Sequence, residues 1–443
     1  MKKLLATLLA STMAVSAIGA LTACGDEASA KTLTVWAPEA AHAVYTKLAN
    51  EWKSQNEKYK DWTIKFEAKA EGEAETDFGA DPAAGADIFF FESGNIKTMK
   101  DKLYLQELDQ ATTNKIKARD GSTADFIIDS TSGLAWGFPT TADNGYFLWY
   151  DKTFFTNADD VKSLDKMLEK INDYNKDKTE EQKKHLVFPF DNGWYEVSWF
   201  FGLGCELDWV GDTTNYYTNI HTTAEGLAAG KAAIKYGTNE AMITGDDGTI
   251  TAGFGKGTVV AAIDGTWIYQ ALAGDAENNI PSVLGDRKYD DVIAATKLPT
   301  FKAKVGDGEE KEYQMGSFKG GKFCGINRYK NNVETITASI SLADYFTSEK
   351  GQLERFKSTN AVPSNTNVAS SDAVKNNMLA AALAAQNAQP ESVPQLAQDG
   401  LWEAMKAFGQ AIRAGETTEA NLQKALNDLA QAMAKGGTLV TSK

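Results

Sequence analysis

The chain has 443 residues, 43% of them hydrophobic and 24% charged, with a formal charge of −15 at neutral pH. That length and balance describe a folded protein of two or three domains. The negative charge excludes nucleic acid and anionic head groups as direct partners and suits a neutral ligand. Its three histidines, His42, His185 and His221, stand apart from one another, so neither a zinc site nor a histidine-dependent triad is supported. No metal and no cofactor is expected.

Taken in chain order, Lys2 and Lys3 precede an apolar and small-residue run to Ala20, the n-region and h-region of an export signal. Leu21-Thr22-Ala23-Cys24 resembles a bacterial lipobox. The resemblance implies a signal peptide over 1–23, lipid on Cys24, and a tethered protein at the extracellular face of the cell membrane. Membrane contact would then be through the acyl chains alone. An ordinary secretory signal with a chance cysteine is the alternative. Residues 24–31 read as a short polar tether. Beyond the h-region no apolar run approaches the roughly 20 residues needed to span a bilayer.

Thr32 to Trp36 alternates as a strand, and Pro38-Glu39 opens a helix with Val44, Leu48 and Trp52 on one face. Thr63 to Phe66 is a second strand. After an acidic, Gly/Ala-rich stretch, Ala86 to Phe91 is a continuous apolar strand of the kind buried on both faces of a parallel sheet. Strand, helix, strand, acidic segment and strand within about 60 residues read as α/β. Two more strands follow at 134–139 and 145–150, then charged helix over 159–184, a strand at 185–190 and an aromatic-rich helix over 194–203. Thr258 to Gly265 is a strand ending in a turn, followed by a helix from Thr266. Residues 303–314 form a charged surface hairpin or loop. Helix dominates the last hundred residues, with Leu422, Leu426, Leu429 and Met433 at helical spacing. Cys205 and Cys324 are either one disulfide or two buried thiols.

Several of these segments together resemble the extracellular solute-binding proteins of ABC importers, in their sugar-binding, maltose-binding-protein-like branch. The residues that carry the likeness are Thr34-Val35-Trp36, Gly85 to Phe89, Gly137-Phe138-Pro139 with Tyr150 to Phe155, and Phe254 to Gly257 with Asp264 to Trp267. Leu298 to Phe301, Cys324 to Asn327, and Val393 to Leu396 with Trp402 follow in order. Ala86 stands where the family's pattern has proline. The resemblance implies a two-lobed periplasmic-binding-protein-like α/β fold, each lobe a mostly parallel sheet flanked by helices, with a ligand cleft at a hinge. The first lobe would hold 32–141 and 295–346. The second would hold 142–294 and, with the C-terminal helices, 347–443. Cys205 and Cys324 would fall in different lobes, which favours two free thiols. The implied function is capture of an oligosaccharide, maltose or a maltodextrin, and its delivery to the permease subunits by a monomeric binding protein that is not an enzyme. A secreted glycoside hydrolase, or a binder of a polyol, peptide or iron chelate, is the competing reading.

A sugar offers an apolar C–H face and a belt of hydroxyls, which aromatic rings and charged acceptors recognise. The resemblance places Trp36, Trp194 or Tyr195, Trp267 and Trp402 around the cleft; the plain alternative for any one of them is core packing. The polar candidates are Glu39, Asp87, Glu92, Asp143 and Asn144. Glu92 ends the buried strand, where open α/β sheets bind ligands. Asp143 and Asn144 compete for one role, because the hinge segment is one residue longer than the family's pattern. Asp87 can equally fix a loop, and Glu39 can merely face a helix N-terminus.

Overall fold

The structure, a computed structural model, describes residues 31–210, 214–276, 279–395 and 400–443. The export signal and Cys24 therefore lie outside the described residues. Two five-stranded sheets organise the chain. The first runs in the order Thr63–Ala68, Thr32–Ala37, Ile88–Glu92, Lys322–Ile326, Phe138–Thr141. The second runs Ile293–Thr296, Phe147–Asp151, Val259–Asp264, His185–Val187, Met242–Ile243. Each sheet has one strand opposed to its neighbours: Lys322–Ile326 in the first and Phe147–Asp151 in the second. These are the strands laid down just after the chain crosses from one sheet to the other.

Burial follows the sequence pattern. Ile88 to Phe91 is wholly buried, as a strand covered on both faces must be. It packs with Leu33, Val35, Leu48, Trp52 and Leu342 in the first core. The second core collects Leu148, Trp199, Phe200, Tyr216, Phe408 and Leu426. Cys324 belongs to the first core and Cys205 to the second, and both are free thiols.

Two of the expected lobe assignments need correction. Residues 298–318 pack in the second lobe, not the first: Leu298, Phe301, Ala303, Met315 and Phe318 are buried in its core. Phe301 meets Trp199 edge-on at 5.4 Å. The charged stretch is an antiparallel hairpin, Thr300–Lys304 against Glu310–Gln314, whose apolar side supplies that packing. Conversely, the helix Glu349–Thr359 stays on the first lobe, because Arg355 bonds Tyr45 and Glu71 there. The chain thus crosses between lobes near 142–146, before Gly321, and over 360–377. These segments tie to one another through Ala142 N–H to the Val362 carbonyl (2.8 Å) and Asn144 N–H to the Gly320 carbonyl (3.2 Å). No helix among the described residues is long and apolar enough to cross a membrane.

One buried group works against the fold. Glu196, on the helix Gly193–Gly202, is fully buried and neither carboxyl oxygen has a partner. Burial pushes its carboxyl well above the ordinary range, and Asp191 adds to the push. The folded chain therefore binds a proton that the unfolded chain releases. The stability tied to Glu196 is complete below the unfolded carboxylate value and is lost as pH rises toward the folded one. Glu196→Met removes both the orphaned carboxyl and its titration. Thermal melts at pH 5 and pH 8 should show a higher Tm at pH 8 and a smaller difference between the two pH values than in the parent protein.

Candidate functional site

The lobes face each other across a cavity of about 870 Å³. From the first lobe come Glu71, Gly72, Glu75, Glu92 and Lys322. From the second come Asn192, Trp194, Tyr195, Asp247, Trp267 and Trp402, with Asn144 and Gln395 between them.

The aromatic wall is built by element ends. Asn192 caps the helix Gly193–Gly202, its side chain accepting from Trp194 N–H, and so starts the helix with Trp194 and Tyr195 at its first turn. Trp267 follows the turn at Asp264-Gly265 and folds back over it. A methyl placed on Gly265 would lie 2.0 Å from its ring. Trp194 and Trp267 sit 5.8 Å apart at 45°. Trp402 starts the helix Leu401–Arg413, which crosses so close to the first helix that a methyl on Gly193 would lie 2.2 Å from the Trp402 carbonyl. Trp194, Trp267 and Trp402 are half-buried and keep ring surface toward the cavity. Tyr195 is buried, its hydroxyl donating to Asp264 at 2.9 Å.

The polar groups sit in unequal electrostatic surroundings. Burial raises the Glu92 carboxyl, against the pull of the Lys322 charge. Burial pushes Asp264 well above its ordinary range, and the neighbouring Asp247 charge pushes it further. Asp247 is itself raised by desolvation, and the neighbouring Asp246 charge adds to the push. Glu71 is raised by burial but pulled below its ordinary value by Lys322 and Arg355. Its oxygens take Lys322 at 2.9 Å and Arg355 at 2.9 Å. The Lys322 ammonium also stands 5.3 Å over the Trp267 ring, reaching from one lobe to the other.

Of the residues singled out in the sequence, the structure brings Glu92, Asn144, Trp194, Tyr195, Trp267 and Trp402 to the cavity and leaves four outside it. Trp36 is buried, edge-on to Phe78, with its N–H on Glu67 at 2.7 Å. Glu39 is exposed in the short helix Glu39–Ala41. Asp87 accepts from Thr34 N–H at 2.7 Å and fixes its loop. Asp143 is fully buried, bonded to the Thr266 hydroxyl (2.9 Å) and Val362 N–H (3.1 Å), so it is Asn144 that reaches the cavity. Sequence reasoning missed Glu71, Asp247, Lys322 and Gln395. Glu71 lay in a stretch read only as acidic. Gln395 stood in the Pro394-Gln395 motif without being given a role.

A family model described as bacterial extracellular solute-binding protein matches residues 52–382. Among curated proteins, none matches the sequence. Three similar solved structures show the same fold. A maltodextrin-binding protein from L. casei BL23 is 21% identical, with a TM-score of 0.70 over 91% of this chain and 98% of its own. The GacH receptor of Streptomyces glaucescens, solved unliganded and with acarbose, is 18% identical, with a TM-score of 0.72 over 92% and 99%. MalX from Streptococcus pneumoniae, solved with maltopentaose, is 19% identical, with a TM-score of 0.68 over 91% and 99%.

Proposed function

This chain belongs to the bacterial extracellular solute-binding proteins, and on that premise we propose that it is the carbohydrate-binding component of an ABC importer. It captures an oligosaccharide of the maltose and maltodextrin class between its lobes and delivers it to a membrane permease. One observation carries the reading: the rings of Trp194, Trp267 and Trp402 converge on a cavity that also holds Glu92, Asn144 and Asp247. Rings supply burial for the C–H faces of sugar units, and carboxylates and amides supply acceptors and donors for their hydroxyls. The similar structures named for maltodextrin, acarbose and maltopentaose support the same class. The protein performs no reaction on its ligand. Closure of the lobes stabilises the bound form by the ligand's greater affinity for it. The sequence at Leu21 to Cys24 supports a lipid anchor on the extracellular side.

The test is calorimetric titration of the soluble form, starting at residue 25, with maltotriose and a panel of other oligosaccharides, followed by analysis of the sugar. Saturable binding of one glycan class, with the sugar recovered intact, is the expected result. Cleaved sugar replaces the receptor by a glycoside hydrolase, and silence across the panel removes carbohydrate as the cargo.

A further inference from the structure

A second cavity, of about 900 Å³, adjoins the cleft and is lined by Ile96, Phe126, Lys319, Gly320 and Pro394. Gln395 is the residue that lines both. It stands between the two cavities, where hydrogen bonds and close packing against Gly94 together hold it in place. It is only 1% exposed.

Those bonds meet at one atom. Gln395 Oε1 accepts from the Asn144 amide at 2.7 Å and from the Trp194 indole N–H at 3.0 Å. An indole nitrogen only donates, so the atom facing it is the oxygen, whose two lone pairs are both used. Asn144 also donates toward the Ser93 hydroxyl at 3.4 Å and interacts with Glu92. Gln395 Nε2 lies against Gly94, where a methyl would approach it to 2.5 Å. The first lobe thus contacts Gln395 at a glycine, the hinge through Asn144 and the second lobe through Trp194.

We propose that Gln395 is a positioning residue for ligand capture: its one side-chain oxygen sets the Trp194 ring relative to the hinge and the first lobe. The inference rests on the carbohydrate reading for its ligand but not for its geometry. Trp194 meets Tyr146 and Tyr195 edge-on. Those contacts flank the ring, and the Gln395 oxygen holds its N–H edge. Ser93 and Asn144 then determine where the ring stands when the lobes meet.

The experiment compares Gln395→Met, of similar length without an acceptor, with Gln395→Glu, which keeps one. Gly94→Ala displaces the side chain from the opposite lobe, with only the end of a flexible chain in its way. Without ligand, the Trp194 indole N–H, assigned by its loss in Trp194→Phe, should be protected from exchange in the parent and the Glu variant. It should exchange faster in the Met and Ala variants. Maltotriose affinity should fall about tenfold in Gln395→Met, the loss of one to two hydrogen bonds, and about threefold or less in Gln395→Glu. Trp194→Phe and Asn144→Ala should couple in the parent and add independently in Gln395→Met. Unchanged indole exchange in both Gln395→Met and Gly94→Ala overturns the proposal whether or not sugar binds. So does equal coupling in the two backgrounds. A parent protein that binds no oligosaccharide but shows the predicted exchange overturns the carbohydrate reading alone.

Discussion

Trp267→Ala should weaken oligosaccharide binding by about 30- to 150-fold, the loss of an aromatic anchor at about 2–3 kcal/mol. Trp267 is the ring that both lobes address: Lys322 stands over it from the first, and the Asp264-Gly265 turn lies under it in the second. Truncation therefore removes stacking area and the ring face that the Lys322 ammonium covers. Trp267→Phe keeps a ring but no donor and should fall between the parent and the Ala variant. Gly265→Ala isolates orientation. Gly265 has φ −92°, so a side chain there is not strained in its backbone. Its methyl would still lie 2.0 Å from the indole and must swing the ring away. Calorimetry on the three variants, with thermal melts to show that each is folded, checks the order. Parent-like affinity in Gly265→Ala would mean that the ring's present pose is not the one that binds.

Trp267 stands on the cavity wall, a place that was legible in the sequence. It follows an Asp-Gly turn at the end of an apolar strand, and strand ends are where open α/β sheets expose side chains to ligands. The place of Glu92 on the cavity was legible on the same logic, and that of Trp402 from its position at the start of a helix. Asp143 and Asn144 were not separable, because adjacent residues on an extended segment point to opposite sides, and one residue of register decides which side faces the cavity. Trp36 was misplaced because an indole beside a sheet packs as readily as it binds. Residues 303–314 read only as a charged surface hairpin or loop; the alternation of Phe301 and Ala303 shows that one side of the observed hairpin is buried, but not against which core. Val333 fits the helical apolar spacing yet is 77% exposed, since it is the first residue of its helix, just after the Asn332 cap. Least legible were Glu71, Lys322 and Arg355. Their meaning lies in a pairing between three distant parts of the chain, and no local pattern announces it.

That pairing sets the second large expectation. Arg355→Met should destabilise the protein by about 3–5 kcal/mol, because removing one partner of a buried ionic network leaves charge uncompensated. Arg355, Glu71 and Lys322 are all buried, and the Asp143 charge lies close enough to act on both cations. Two anions and two cations thus balance beneath the cleft, and deletion of Arg355 leaves the anions with one cation. Glu71 also gives the network a pH signature. Its carboxyl lies below the ordinary value because Lys322 and Arg355 outweigh the upward push of burial. The unfolded chain therefore binds the proton more readily. The stability from Glu71 is complete above its unfolded value and is lost as pH falls through the folded one. In Arg355→Met that advantage shrinks, so the variant should lose less stability between pH 7 and pH 4 than the parent does. Urea denaturation at pH 7 and at pH 4 measures both effects. Equal loss at the two pH values would locate the cost in packing against Tyr45, which Arg355 also contacts at 2.9 Å. A larger loss at pH 7 places it in the charges, and the same four residues then connect the stability of the hinge to the acids that line the cleft.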